Sequence, residues 1–215
     1  MFTKEETLKE IKKSGIVAVI RMADIEKLIE TVKAIRKGGV RCIEIAMTTP
    51  DAINMIKEIT DDESSDIITG AGTVLDSETA RAAILAGAEY IVSPVLNIEL
   101  IKLCKRYNKT VIPGAFTPTE ILIAWEQGAD IVKVFPARAV GPKYFGDIKA
   151  PLPQVELMPT GGISIENAAD YIKAGACAVA IGSALLDKKA IAEQNYYILT
   201  EKAEKLVESI KQVKR

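Results

Sequence analysis

The sequence predicts an α/β fold: a closed (β/α)8 TIM barrel formed by residues 1–215 as one domain, with an N-terminal capping helix. Three observations carry that expectation. Eight short apolar runs recur along the chain, helical patterns fill most of the gaps between them, and a glycine repeatedly joins helix to strand. The first four runs are IVAVIR (16–21), CIEIAM (42–47), IITGAGT (67–73) and YIVSP (90–94). The next four are TVIPGAF (110–116), IVKVFP (131–136), VELMPTG (155–161) and AVAIGS (178–183). Such runs suit strands covered on both faces. Gly39, Gly87, Gly128 and Gly175 each stand just before a run, where a glycine ends a helix and admits the next strand. Thr117-Pro118-Thr119-Glu120 opens a helix with a capping threonine, proline in the first turn and glutamate three after the cap. Thr49-Pro50 is expected to open one in the same way, as is Ser164 or Asn167. Residues 3–13 form the capping helix, and residues 190–215 a long polar helix closing the far end. Strands alternating with helices imply parallel pairing. An open doubly wound sheet is the alternative, but Gly70-Ala71-Gly72 continues to Leu75 with no third glycine, so its dinucleotide signature is missing.

Composition narrows the function. The chain is 48% hydrophobic and 27% charged, with 28 basic and 29 acidic residues well mixed, so no basic face for nucleic acid is expected. No run approaches the roughly 18 apolar residues of a membrane span, and the charged opening dozen residues do not read as a signal peptide. The three cysteines, Cys42, Cys104 and Cys177, lie far apart and read as reduced thiols of a cytoplasmic protein. Histidine is absent. That excludes Ser-His-Asp and Cys-His catalysis and histidine-based zinc sites, leaving acid–base work to carboxylates, lysine, tyrosine or water.

Against that background two charged residues inside strands stand out. Lys133 lies mid-run between Val132 and Val134, and a period of two puts it on one face with Phe135. If the valines face the helices, the lysine faces the interior, where desolvation lowers its pKa and frees a nucleophilic amine. Such an amine attacks a ketone to form a Schiff base. A lysine snorkelling outward is the competing reading. Glu44, inside CIEIAM, shares a face with Cys42, Ala46 and Thr48, opposite Ile43, Ile45 and Met47, which again turns the charge inward. A carboxylate is seldom buried without a partner. It reads as a general base beside the lysine, or as half of a structural ion pair. Pro159-Thr160-Gly161-Gly162 and Ile181-Gly182-Ser183 end the last two strands, where such barrels bind phosphate through backbone N–H groups and a helix N-terminus.

Taken together in order, these blocks resemble the 2-keto-3-deoxy-6-phosphogluconate (KDPG) and 4-hydroxy-2-oxoglutarate (KHG) aldolase family along nearly the whole chain. The matching stretches are VAVIR (17–21), IEI (43–45), GAGTV (70–74), VSP (92–94), Gly114, TPTE (117–120), KVFPA (133–137), PTGG (159–162) and Gly182-Ser183. The resemblance implies a class I aldolase and homotrimer that needs no cofactor or metal. It would cleave KDPG to pyruvate and glyceraldehyde 3-phosphate, or KHG to pyruvate and glyoxylate, in Entner-Doudoroff carbohydrate metabolism. It further implies that Lys133 is the Schiff-base lysine and Glu44 the proton-shuttling base. Thr73 and Pro94 match positions around the pyruvate moiety, Phe135 and Thr160 positions beside the imine. Gly161, Gly162 and Ser183 match phosphate-binding positions, and Arg21 a polar residue at the mouth of the first strand. Thr48 stands at a substrate-binding position where some members carry an arginine that holds an anion, and Ala46 where some carry threonine. Loose discrimination between the two substrates is therefore expected. The expected partner is a small, phosphorylated 2-keto acid, with neither nucleic acid nor membrane. A phosphosugar isomerase or epimerase, with Glu44 as base and no covalent step, is the runner-up; a non-catalytic scaffold is the third reading.

Overall fold

The computed structural model describes residues 2–62 and 66–214. Met1, within the charged opening segment, and Arg215, within the predicted tail helix, lie outside the described residues. Helix α1 (Lys4–Ser14) starts from a capping box: Thr3 accepts from the Glu6 N–H while the Glu6 carboxylate accepts from that of Thr3. Strand and helix then alternate: β1 (Ile16–Ile20), α2 (Ile25–Lys37), β2 (Cys42–Ala46), α3 (Ala52–Thr60), β3 (Ile68–Gly72) and α4 (Ser77–Leu85). Next come β4 (Tyr90–Val92), α5 (Ile98–Arg106), β5 (Thr110–Ile112), β6 (Gly114–Ala115), α6 (Pro118–Glu126), β7 (Val132–Val134) and α7 (Lys143–Lys149). The chain ends with β8 (Leu157–Pro159), α8 (Ala168–Lys173), β9 (Val179–Ile181), α9 (Lys188–Ala192) and α10 (Tyr197–Val213). Gly39, Gly87, Gly128 and Gly175 all have φ between 91° and 107°, the left-handed backbone that lets a helix stop and turn into a strand.

Every strand pairing among the described residues is parallel. The strands form a curled six-stranded sheet, β5-β4-β3-β2-β1-β9, and a three-stranded one, β6-β7-β8. One predicted run, 110–116, is split at Pro113, which has no N–H to donate to a ladder. Its first half pairs with β4 and its second with β7, so this stretch stands between the two sheets. Thr160 and Ala180 form a parallel bridge that sets the end of β8 against β9.

Alternation along the strands separates two apolar layers. Ile43, Ile45, Val132 and Val134 pack outward with the helices. Val17, Val19, Cys42, Ile68, Tyr90, Val92, Ile112, Met158 and Ala180 pack inward against one another. Ile11 of α1 joins the inner set from below, with Leu8 and Phe2 packed beside it. The segment predicted as one polar tail helix is instead two helices, α9 and α10. Leu199, Ala203, Leu206 and Ile210 recur at helical spacing and are buried, so α10 is amphipathic. It lies in the outer layer against α1, α2 and α8 rather than closing an end. Thr49-Pro50 does not open a helix: α3 begins from Asp51, a left-handed residue at φ 57° that makes no side-chain cap. Thr117 does cap α6, with its full capping box. Ser164 and Asn167 bond to each other's backbone N–H in the turn that precedes α8. Among the described residues no helix is long and apolar enough to cross a membrane.

Candidate active site

The predicted runs overshoot the strands at their C-terminal ends, and the overshoot is informative. Arg21, Thr73, Pro94, Phe135, Thr160 and Ser183 all fall just past strand termini, at one mouth of the sheets. Only Lys133 and Glu44 remain within strands.

Lys133 is 3% exposed and Glu44 is fully buried. The first figure rules out a lysine snorkelling to solvent. Both Glu44 carboxylate oxygens lack a hydrogen-bond partner among the described residues, so the two groups are not joined in a structural ion pair. Each remains in the other's field. Burial pushes the Lys133 amine below its ordinary value; Glu44 opposes this and Arg21 adds to it. Burial pushes the Glu44 carboxyl up, against the pull of Lys133 and Arg21. Both therefore shift toward neutral forms: an amine free to attack and an acid able to hold a proton. The Lys133 nitrogen lies 5.2 Å from the centre of the half-exposed Phe135 ring, which sits at the mouth above it.

The room for Glu44 comes from β3. A methyl group on Gly72 would fall 1.8 Å from Glu44 Oε1, and one on Gly70 would meet the Tyr90 ring at 2.3 Å. These glycines leave space for side chains from neighbouring strands rather than supplying a turn. The Tyr90 hydroxyl, buried in the inner layer, has no hydrogen-bond partner among the described residues. Neither Gly72 nor Tyr90 was singled out from sequence; the spacing of Gly72 two residues beyond Gly70, on the inward face, was the available signal. Gly72→Ala is expected to displace the Glu44 carboxylate and lower turnover at least about tenfold, since overpacking forces side chains off their rotamers. Steady-state kinetics alongside thermal unfolding checks this, and turnover close to wild type would show that Glu44 has space elsewhere.

Four of the other candidate residues line two clefts of about 490 Å³ each. Thr48 and Thr73 meet in one, together with Asp51 and Asp76. Two carboxylates make that cleft a poor place for an anion. Thr73 holds φ 58°, strained for a β-branched residue. Arg21 and Ser183 meet in the other cleft, beside Gly182. Thr160 is buried, with a hydroxyl that has no partner among the described residues. Pro94 lies against β6: a side chain on Gly114 would meet its carbonyl. Gly161 and Gly162, at φ 89° and 83°, close the loop after β8, and Arg138 N–H donates to the Gly161 carbonyl. A side chain on Gly161 would touch the Phe135 ring and one on Gly162 would strike Arg138, so substitution strains the loop whatever its charge. The helix N-terminus expected at these glycines is displaced. Helices α8 and α9 start only at Ala168 and Lys188, leaving loop backbone alone at the glycines.

Comparison with known proteins places the chain in a family. The KDPG and KHG aldolase family matches residues 7–201. The "2-dehydro-3-deoxy-phosphogluconate aldolase" of Haemophilus influenzae is 30% identical over 211 residues, 98% of this chain and 99% of that protein. The "KHG/KDPG aldolase" of Escherichia coli K12 is 34% identical over 197 residues, 91% of this chain and 92% of that protein. The solved KDPG aldolase of Legionella pneumophila, with pyruvate captured as a covalent carbinolamine, superposes with a TM-score of 0.86 at 27% identity, covering 93% of this chain and 97% of that one. With a parallel α/β scaffold, an inward lysine and a buried glutamate already in place, this chain belongs to the KDPG and KHG aldolase family.

Proposed function

We propose that this enzyme, a carbon–carbon lyase, cleaves KDPG or KHG, or both, to pyruvate and an aldehyde through a Schiff base on Lys133. The observation that carries the reading is that Lys133 and Glu44 are both buried in one layer, each in the other's field and with no bond between them. The neutral amine adds to the C2 ketone to give a carbinolamine. Glu44 in its acid form donates a proton as the C2 hydroxyl leaves as water, and an iminium remains. The resulting carboxylate takes the C4 hydroxyl proton while the C3–C4 bond breaks, its electron pair flowing into the iminium. The aldehyde departs, and Glu44 returns the proton to C3 of the enamine. Water then attacks the iminium while Glu44 takes its proton, and collapse of the carbinolamine releases pyruvate and restores both the neutral amine and the Glu44 acid. Arg21, whose charge reaches both groups, meets a substrate anion at the mouth of β1. Thr73 and Pro94 flank the pyruvate moiety, Phe135 and Thr160 the imine, and Gly161, Gly162 and Ser183 receive the phosphate.

Pyruvate release from each substrate, followed by a coupled assay, tests this directly. Turnover of neither substrate would overturn it. The isomerase reading draws no support from the family or the relatives.

Three finer readings accompany it. The strands form one closed eight-stranded barrel, supported by Pro113 standing between the two sheets, the Thr160–Ala180 bridge and an inner layer drawn from both sheets. The enzyme is a homotrimer, supported by exposed Leu75 and Val95 on adjoining loops and Ile98 at the start of α5, where the Asn97 amide donates to the Leu75 carbonyl. Sedimentation at three chain masses is the expected result. A reducing, cytoplasmic setting is supported by the free cysteines, whose thiols burial pushes up to about 12.

A further inference from the structure

The cleft shared by Arg21 and Ser183 holds more positive charge than the phosphate reading requires. Lys27, in the first turn of α2, and Lys188, the first residue of α9, also line it, while no carboxylate does among the described residues. Its inner end reaches the reactive layer, because Val19 lines it and pairs in register with Glu44. Lys27 and Lys188 thus share with Arg21 and Ser183 a cleft that reaches the reactive layer.

Neither lysine is strongly held elsewhere. Lys27 lies 3.6 Å from Asp24, a long contact to a carboxylate that already caps α2 through the Lys27 N–H. Lys188 forms no ion pair among the described residues. Asp187 beside it is committed to the N–H groups of Lys189 and Ala190 and to the Lys202 ammonium at 2.9 Å. Both lysines are therefore free to turn toward a ligand.

The two substrates differ in what they would place there. The terminal carboxylate of KHG is attached directly to the carbon that bears the C4 hydroxyl, so it stays close to the reacting bond. The phosphate of KDPG is carried two carbons farther out and bears a charge of about −1.5 to −2 at neutral pH. Only the phosphorylated substrate carries an anion that far from the reacting bond. We propose that Lys27 and Lys188 form a cationic clamp on the terminal phosphate that sets the preference of this enzyme between phosphorylated and unphosphorylated substrates. The inference rests on the phosphate reading of the Gly182-Ser183 loop and adds the side chains that give it selectivity.

The test is the Lys27→Gln/Lys188→Gln double variant of the full chain, assayed on KDPG and KHG across a salt series, with inorganic phosphate as competitor. The ratio of KM for KDPG to KM for KHG is expected to rise about tenfold, the order of two partly exposed charge contacts. The salt dependence of KM for KDPG is expected to flatten, and phosphate to compete less well than in wild type. Each single variant should give part of the shift. Borohydride trapping of pyruvate reports that the lysine layer is intact in every variant. If phosphate competes equally with KDPG in wild type and double variant and the KM ratio stays within about twofold, the clamp is wrong while the phosphate loop stands. If phosphate does not compete with KDPG even in wild type, the loop assignment fails and the clamp falls with it.

Discussion

Incubation with pyruvate and borohydride is expected to add one reduced pyruvyl group to the chain, mapped by mass spectrometry to Lys133. Lys133→Met is expected to abolish both the adduct and turnover. The chain carries many lysines, but Lys133 combines a buried position, a depressed pKa and an acid partner in the same layer. The pH dependence follows from the sign of the shift. Adduct formation needs the neutral amine, so its rate rises as Lys133 loses its proton. Because burial lowers that pKa, the plateau should be reached below the ordinary lysine value of 10.5. Label on another lysine, or a rate still climbing through that value, would remove Lys133 from the chemistry.

Glu44→Gln should leave the shape of the site intact while removing its proton carrier. Turnover is expected to fall by roughly 10²–10⁴, the usual contribution of general acid–base catalysis. Slow imine trapping should persist, since the amine itself is untouched. The folded state should not suffer in proportion. An ionisable group with no hydrogen-bond partner is costly to bury, and the amide removes the possibility of charge. A variant more resistant to heat yet nearly inactive is the combined signature. Turnover near that of wild type would reduce Glu44 to a packing role.

Both residues were legible in the sequence because a strand has a period of two and each sits between bulky apolar neighbours. That rule needs no knowledge of distant contacts. The features that escaped it depend on what lies opposite. Pro113 sits inside a run that looks continuous, and only the ladder partners on either side reveal the break. The apolar residues of α10 are diluted by lysine and glutamate, so its buried face reads as polar until α2 and α8 are seen against it. Thr49-Pro50 has the composition of a helix start, but a left-handed Asp51 separates it from α3. Gly72 shows its purpose only through the carboxylate of another strand, and Lys27 and Lys188 are ordinary helix lysines until a shared cleft joins them.

Helix α1 has a consequence for biosynthesis. It leaves the ribosome before any strand whose lower end it seals, and its anchors are spread along the rest of the chain. The Phe2 N–H donates to Glu89, Lys4 pairs with Asp130 at 2.7 Å, Lys12 pairs with Glu156, and Lys214 donates to the Lys12 carbonyl. The last of these partners is made only when α10 is complete. The apolar face of Ile11, Leu8 and Phe2 gains its full set of partners only after the strands it packs beneath have all been made. Within these residues the seat of α1 is complete only when α10, the helix farthest from it along the chain, is in place.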